Sequence, residues 1–591
     1  MKFRLEGTFL LFTPTHLLLF LLLAPALLAH ADKSIEYRVI TPAGKDNAVA
    51  VVVDDRTYAL AVDQRDPLVH IGEAPVANHG YYYAKTKAGS IIERESQTRQ
   101  PMTDANETPF EFYNRTKNAW DIRQLPRPYE SLPSLNRIQT HLHRTGEIPT
   151  IHFVGNQSAI DVMHTNVFEN IKVNVDMTYI SLDAVHTFKD VTIKLSGRAS
   201  LLSPKLSYRA SLADKDELFG YSHIKLRAMS GDPSYIRENV AYAVIDAAGL
   251  PAIHTSYVRV YINEQPVGLF GLNEVFKKSW LRNEFANGDK KYDYGVLYKA
   301  AGAGQLRNAE EGINFKNVLF SDFSYLGDNE TLYNMSGYGI DVKPATGEPG
   351  YGVLTELTKF IDKDSPLDGD ADKVIAAWDE YIDMESLFRN LAIEFLLGFN
   401  DGYFVLANNY AIFQHHADSK RFIWLPNDLD TILGVILSNM STTVTGDLAT
   451  YPGATHWPLT RRILQSAPLK ARLDYYIKDM SQRLIQPDTL FPYIDDTVAM
   501  ITEDVAWDRT LPGTSKFDIS QLGNMTELID SLFKAFPPWI NKDAFFQTDQ
   551  EGHGPLPFTT AVDGPTGLKA LSGVKEFISN KTRAVREHYQ L

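Results

Sequence analysis

A chain of 591 residues with 44% hydrophobic and 22% charged side chains carries enough apolar material for more than one core, which excludes a disordered or low-complexity protein. Its formal charge of −15 disfavours non-specific binding to nucleic acid or to an anionic lipid surface. Cysteine is absent, so disulfide staples, zinc–thiolate sites and thiol nucleophiles are all excluded together.

Residues 1–31 read as a targeting segment: Lys2 and Arg4 give a positive start, an apolar run follows from Leu17 to Leu28, and Ala29, His30 and Ala31 make a small-x-small cleavage site. Pro14 and His16 precede the apolar run and Pro25 interrupts it, and it is short for a membrane span. No later segment reaches transmembrane length, and the charged end NKTRAVREHYQL lacks the hydrophobic tail of a lipid-anchor signal. The expectation is a secreted protein that begins near Asp32. Asn-x-Ser/Thr triplets at Asn106, Asn114, Asn156, Asn329, Asn334, Asn439, Asn524 and Asn580 offer glycosylation sites, of which some are expected to be used.

Over residues 32–118 short alternating runs, SIEYRVI, AVAVVVD, RTYALAV, PLVHIGE and GYYYAK, are separated by Pro, Gly, Asp and Asn turns, the pattern of an antiparallel β-sandwich. Tyr81, Tyr82 and Tyr83 offer aromatic faces for stacking on sugar rings, but alternation turns two of the three inward and favours a core role. Residues 119–148, with Pro126, Pro128 and Pro133, read as a linker. His141 with His143, and His415 with His416, lack a third ligand at a fitting offset and read as surface histidines.

Residues 149–274 supply what a nucleotide-binding small lobe needs. Strands VTIKL, LSYRASL and HIKLRA are followed by a helix, PSYIRENVAYAVIDAAG, bounded by Pro233 and Gly249. The loop holding Gly197 and Ser200 is small enough for backbone amides to approach an anion. A kinase also needs a lysine on the phosphates steadied by a glutamate on that helix, and strand order offers Lys225 with Glu238. The runs YVRVYI and VGLFGLN form a hairpin, after which Glu274 begins the connection between lobes.

Residues 275–540 open with the Gly- and Ala-rich stretch 299–316 and an insertion-like segment up to Asp372. MESLFRNLAIEFLLG then reads as a helix, with Asp383 as N-cap, Leu387, Leu391 and Phe395 on one face, and Gly398 at its end. Strand-like runs Asn409 to Phe413 and Arg421 to Leu425 flank a polar turn, a hairpin that brings Asn408 and Asn409 near Asp428 and Asp430. Helical patterns from Pro458 onward complete this region, and residues 541–591 form a C-terminal extension ending in a helix.

Helix, acidic loop, amide, hairpin and second acidic loop is the order of parts in the large lobe of a protein kinase. On that order Asp401 is the candidate base, and Asp428 with Asn408 or Asn409 the metal ligands, Asp430 standing as a further one. Hard oxygen ligands of this kind suit Mg²⁺ or Mn²⁺. The spacing from Asp401 to Asn408 exceeds the usual kinase gap, Leu429 and Asp430 stand where Phe and Gly would follow, and neither HRD nor DFG is present. A purely structural reading takes Asp428-Leu429-Asp430 as a calcium loop or capping turn.

The motifs DGY...NNYAIF, RFIWLPNDLD...G, YVRVYINEQPVGLFGLNE and KLRAMSGDPSYIRE together resemble the spore coat protein H kinases, the CotH kinase family of atypical kinase-like proteins, from about residue 149 to 507. Within it the chain is most similar to secreted mucoralean fungal members, some of them invasin-like. The resemblance implies an α+β chain: an N-terminal β-sandwich, then a two-lobed atypical protein-kinase-like domain. It also implies transfer of the ATP γ-phosphate to Ser/Thr of secreted or coat proteins or of the chain itself. The family pattern places a phosphate-binding lysine after the Gly-Ser loop, which favours Lys205 and leaves two candidates, Lys205 and Lys225, for one role. The alternative is an inactive coat scaffold or adhesin on a host-cell or glycan surface, against which Glu310 and Glu311 count, since the corresponding loop of invasin-like relatives is more basic.

Overall fold

The computed structural model describes residues 33–197, 199–302, 319–518, 533 and 536–591. The targeting segment, Glu310, Glu311 and Asn524 lie outside the described residues. The chain is mixed α+β, β-rich at its N-terminal end and helical toward its C-terminal end. It divides into two compact units, Met1–Thr116 and Lys117–Leu591.

In the first unit, β1 (Ser34–Ile40), β2 (Ala48–Val53), β3 (Arg56–Asp63), β4 (Asp66–Pro75), β5 (Tyr81–Lys87), β6 (Ser90–Arg94) and β7 (Glu111–Phe112) form one seven-stranded sheet in the order β6-β5-β2-β3-β4-β1-β7. The first half of β3 pairs with β2 and its end with β4, so β3 is the corner at which the sheet folds over on itself. Ile35, Tyr37 and Val39 of β1 therefore share one core with Val49, Val51 and Val53 of β2 and with Tyr81 and Tyr83 of β5. Hydrogen bonding thus runs continuously through what the alternation suggested as two separate sheets.

The tyrosine run is spent inside this core. The hydroxyls of Tyr81 and Tyr83 donate to Glu111 at 3.0 and 2.8 Å, and Tyr82 lies half-buried beneath the Arg94 guanidinium. Arg99 neutralises two buried carboxylates at once, Glu95 at 2.6 Å and Glu111 at 3.1 Å. Burial pushes the Glu111 carboxyl up, and Arg99 is the main influence pulling it back. Arg99→Met strands both carboxylates, so the first unit should lose about 3–5 kcal/mol, the usual penalty for halving a buried pair. Denaturant unfolding of the whole chain followed by tyrosine fluorescence should show the loss; an unchanged midpoint would mean that neither carboxylate depends on Arg99.

The second unit begins with β8 (Thr150–Gly155), β9 (Val173–Ile180), β10 (Val185–Ser196), β11 (Ser207–Ser211), β12 (His223–Arg227), β13 (Thr255–Ile262) and β14 (Gln265–Asn273), which close a barrel in the order β10-β11-β12-β14-β13-β8-β9. Alternation along β12 sends Ile224 and Leu226 into the core and leaves Lys225 and Arg227 on the other face. Helix α1 (Gln157–Thr165) joins β8 to β9, and α2 (Arg237–Ala247) joins β12 to β13. Helix α2 starts later than Pro233 because the Asp232 carboxylate captures the Ser234 and Arg237 amides, at 2.9 and 3.1 Å, and so holds the preceding turn.

Next come β15 (Leu297–Ala301), β16 (Tyr338–Val342), β17 (Asn408–Gln414) and β18 (Phe422–Pro426), a sheet of order β16-β15-β17-β18. The expected hairpin is β17–β18, with Tyr410 opposite Pro426 and the Tyr410 ring stacked on Trp424 at 4.3 Å. The helix Met384–Leu397 has the expected caps: Asp383 accepts from the Ser386 amide, and Gly398 closes the end with φ 65°. Every residue from Ser386 to Leu397 is buried, so this helix is central rather than one-faced.

Residues 119–148 do not behave as a free linker. Ile122, Leu132, Leu142 and Ile148 are buried in the core of the second unit, the Leu132 amide bonds the Gly249 carbonyl at 3.0 Å, and Arg123 pairs with Asp496 at 2.7 Å. The prolines hold the segment extended, and apolar residues spaced along it anchor it to the surface. His143 goes with it: its side chain is 8% exposed and lies beside Glu274, so it is no surface histidine. His415 is likewise half-buried against Phe285, Tyr292 and Phe413.

Candidate active site

The turn after β18 and the end of β12 meet through one side chain. The Arg227 guanidinium pairs with Asp428, with Asp430 at 2.6 Å and with Glu238 of α2 at 3.3 Å, while Lys225 Nζ stands 3.6 Å from Asp428. The ion pair expected between Lys225 and Glu238 is therefore taken by Arg227, which sits two residues on, along the same strand face, and reaches further. Burial opposes the charge on Asp428, but Arg227, Lys225 and Lys299 hold its carboxyl far below the usual range.

The loop carrying Asp401 is stitched to the same place. The Asn400 amide bonds the Thr431 carbonyl at 2.9 Å, and the Asn400 side chain accepts from Leu437 N and Ser438 Oγ at 3.2 and 3.0 Å. Glu394 accepts from the Phe404 amide at 2.7 Å, and a Cβ on Gly402 would fall 2.6 Å from the Glu394 carboxylate, so only glycine lets the loop approach so closely. Asn409 Nδ2 then donates to Asp401 Oδ2 at 2.7 Å. Burial first, then the charges of Asp430 and Asp428, push the Asp401 carboxyl well above its ordinary range. Asp430 lies at the exposed mouth of the cleft, its side chain 51% exposed and held by Arg227. Asn409 and Asp428 both adopt left-handed backbone, φ 55° and 60°, which Asn and Asp tolerate best and which is characteristic of strained functional loops.

The structure thus brings together Asp401, Asn409, Asp428, Asp430, Lys225 and Glu238. Asn408, its neighbour along β17, turns the other way and packs on Gly302, with Oδ1 buried and without a hydrogen-bond partner. Lys205 is placed elsewhere: its ammonium bonds Asp508 at 2.6 Å and the Leu269 carbonyl at 2.5 Å. Gly197, with φ 142°, and Ser200 belong to the β10–β11 turn, at the end of the barrel where the Ser207 hydroxyl accepts from the Ala228 amide, next to Arg227. Glu274 lines the cleft, yet its carboxylate is spent on Arg137, on Trp280 Nε1 at 2.9 Å and on the His254 amide at 3.1 Å.

Sequence reasoning missed Arg209, Asn273, Lys299 and Asn427. Arg209 and Asn273 flank Lys225 across the β11–β12–β14 ladder, and Lys299 projects from β15 toward Asp428. Burial lowers Lys299 to about 8, with Asp428 opposing. Arg209 Nε, Asn273 Nδ2 and Asn427 Nδ2 are buried and have no hydrogen-bond partner. They face a cavity of about 30 Å³, room for roughly one water. The only signal that would have found them is cross-strand register, which local sequence does not state.

Unspent donors on one side and oxygen-only acceptors on the other fit a polyanion held with a hard cation: Asp428, Asp430 and Asn409 are the donor types that Mg²⁺ or Mn²⁺ takes. Among the described residues no three His, Cys, Asp or Glu side chains are grouped so as to hold a metal ion, and Arg227 is paired with both Asp428 and Asp430.

Residues 193–529 match the family model described as CotH kinase protein, more than half of the chain, and the chain belongs to that family. Every candidate cleft residue from Gly197 to Asp430 falls within the match. The chain is 26% identical to invasin CotH2 of Rhizopus delemar over 502 residues, 83% of this chain and 77% of that protein. It is 24% identical over 493 residues to spore coat protein homolog 1 of the same organism, 82% of this chain and 74% of the other. Among the described residues no helix is long and apolar enough to cross a membrane.

Proposed function

We propose that the chain is a secreted, CotH-type atypical protein kinase that transfers the ATP γ-phosphate to Ser or Thr of secreted or coat proteins, or of itself. The observation that carries the reading is the convergence of Asp401, Asp428 and Asp430 with Lys225, Arg227 and Lys299 in one cleft. The barrel with α2 acts as the small lobe, residues 149–274, and the hairpin sheet with its helices as the large lobe, residues 275–540.

Each side chain has a role consistent with its surroundings. Lys225, Lys299 and Arg209 take the phosphate oxygens, the turn with Gly197 and Ser200 covers them, and Asp428, Asp430 and Asn409 hold Mg²⁺ or Mn²⁺, which neutralises phosphate charge when bound. Asp401, raised by burial and acidic neighbours, receives the acceptor hydroxyl proton. Nucleotide entry requires Arg227 to release Asp428 and Asp430. Asn106, Asn114, Asn156, Asn329, Asn334 and Asn439 are exposed and suited to carry glycans, whereas Asn580 is half-buried within a helix.

Incubating purified protein with labelled ATP and manganese or magnesium should label the chain or a generic acceptor, and chelation should abolish the label. No transfer with either ion would sink the kinase reading. A second reading rests on the names of the relatives: an invasin-like surface protein whose adhesion is indifferent to the cleft.

A further inference from the structure

Phosphate transfer by protein kinases waits on one helix: the helix that carries the glutamate must be docked, and its docking is a point of control. On the kinase reading that helix is α2, which carries Glu238. Two buried arginines tie its ends to elements outside the small lobe. At the first end, Arg237 is fully buried, pairs with Asp232, and donates from Nη2 to the Ser572 carbonyl at 2.7 Å. At the other end, Arg389 of the helix Met384–Leu397 donates to the carbonyl of Ala248, the cap of α2, at 3.1 Å, and to the Glu130 carbonyl at 2.8 Å. The turn leading into α2 is gripped as well, the Tyr235 hydroxyl donating to Asp508 at 2.8 Å and Arg509 to the Pro233 carbonyl at 2.9 Å.

Ser572 is itself anchored to the acidic loop, just beyond Asp430. Its amide bonds the Gly434 carbonyl at 2.9 Å, and the Ile436 amide bonds the Ala570 carbonyl at 3.0 Å. Gly434 permits the approach: its φ is 97°, and a Cβ there would fall 2.7 Å from Ser572 Cβ. Behind this strap Glu551 accepts from the Lys569 and Ala570 amides at 3.3 and 3.0 Å, and Lys581 of the helix Val574–Tyr589 donates to the Thr443 and Thr445 carbonyls at 2.9 and 2.8 Å. The strap lies beyond residues 193–529, which match the family model. Between the two ties Arg227 joins Glu238 to Asp428 and Asp430. Swinging α2 outward would break both arginine contacts and strand buried charge-assisted donors, which makes an undocked helix costly.

We propose that α2 is permanently docked, with Arg237 and Arg389 as positioning residues, so that the cleft stands assembled without nucleotide, activating partner or prior phosphorylation. The consequence for transfer rests on the kinase reading; the docking itself does not. Hydrogen exchange on the whole protein should find α2 and residues 430–436 protected without nucleotide, ATP with manganese adding less than about threefold. Arg237→Met and Arg389→Met should each speed exchange in α2, and ATP with manganese should restore protection. Because only the docked fraction binds, KM for ATP should rise about tenfold or more while kcat at saturating ATP stays within about threefold, a split that general destabilisation does not produce. Arg237→Lys, which keeps a donor, should fall between. Phosphatase-treated parent protein should transfer phosphate from the first turnover without a lag. The proposal is overturned if α2 of the nucleotide-free parent is unprotected and orders only with ATP, if the folded methionine variants exchange like the parent, or if transfer follows a lag that shortens with protein concentration. Should a variant fail to fold, the parent's exchange and progress curve decide. A parent that transfers nothing would sink the kinase reading, and exchange would still decide whether α2 is fixed.

Discussion

Asp428→Ala should abolish cation-dependent ATP binding and phosphate transfer together, while Asp401→Ala leaves ATP binding nearly intact and slows transfer by about 10²-fold or more. The two carboxylates differ in their surroundings. Asp428 stands among Arg227, Lys225 and Lys299, where it stays ionised and faces the unspent donors of Arg209, Asn273 and Asn427. Asp401 is raised, held by the Asn409 amide, and suited to take a proton. Calorimetric ATP titration with and without manganese, beside single-turnover transfer, separates the two effects. A folded Asp428→Ala protein that binds ATP with metal and phosphorylates like the parent would overturn the assignment. The invasin-like reading makes the opposite prediction for the same variant, cell or glycan adhesion equal to the parent's.

Glu394→Gln should stabilise the second unit at neutral pH and not in acid. Burial raises the Glu394 carboxyl from 4.5 to about 8, with the Phe404 amide opposing. A carboxyl raised in the folded state contributes fully below its unfolded pKa, and that contribution drains away as pH rises from about 4.5 through about 8. At pH 7 the accumulated cost is roughly 3 kcal/mol, at ~1.4 kcal/mol per pH unit. Glutamine keeps an oxygen for the Phe404 amide and has nothing to ionise, so its advantage should be near zero at about pH 4.5 and grow toward pH 8. Melting temperatures across that range measure it. An equal gain at both ends would assign the effect to packing and not to the proton.

The helix Met384–Leu397 with its Asp383 and Gly398 caps, and the β17–β18 hairpin, follow from the amino-acid sequence alone, because capping and turn preferences act between residues a few positions apart. The same local order puts Asp401, Asn409, Asp428 and Asp430 in succession, and the absence of cysteine removes whole classes of chemistry. Only tertiary structure decided which cation meets which carboxylate. Arg227 and Asp428 are 201 positions apart, and which of Lys225, Arg227 and Lys205 reaches the cleft depends on barrel register and on the docking of β12 against the β18 turn. It also decided that Asn408 turns away from Asn409, that the Glu274 carboxylate is consumed by Arg137, and that residues 119–148 are packed rather than free. Charge pairing in a buried site is settled by which groups the packed elements leave within a few ångströms of one another, and that is a property of the assembled chain, not of any segment of it.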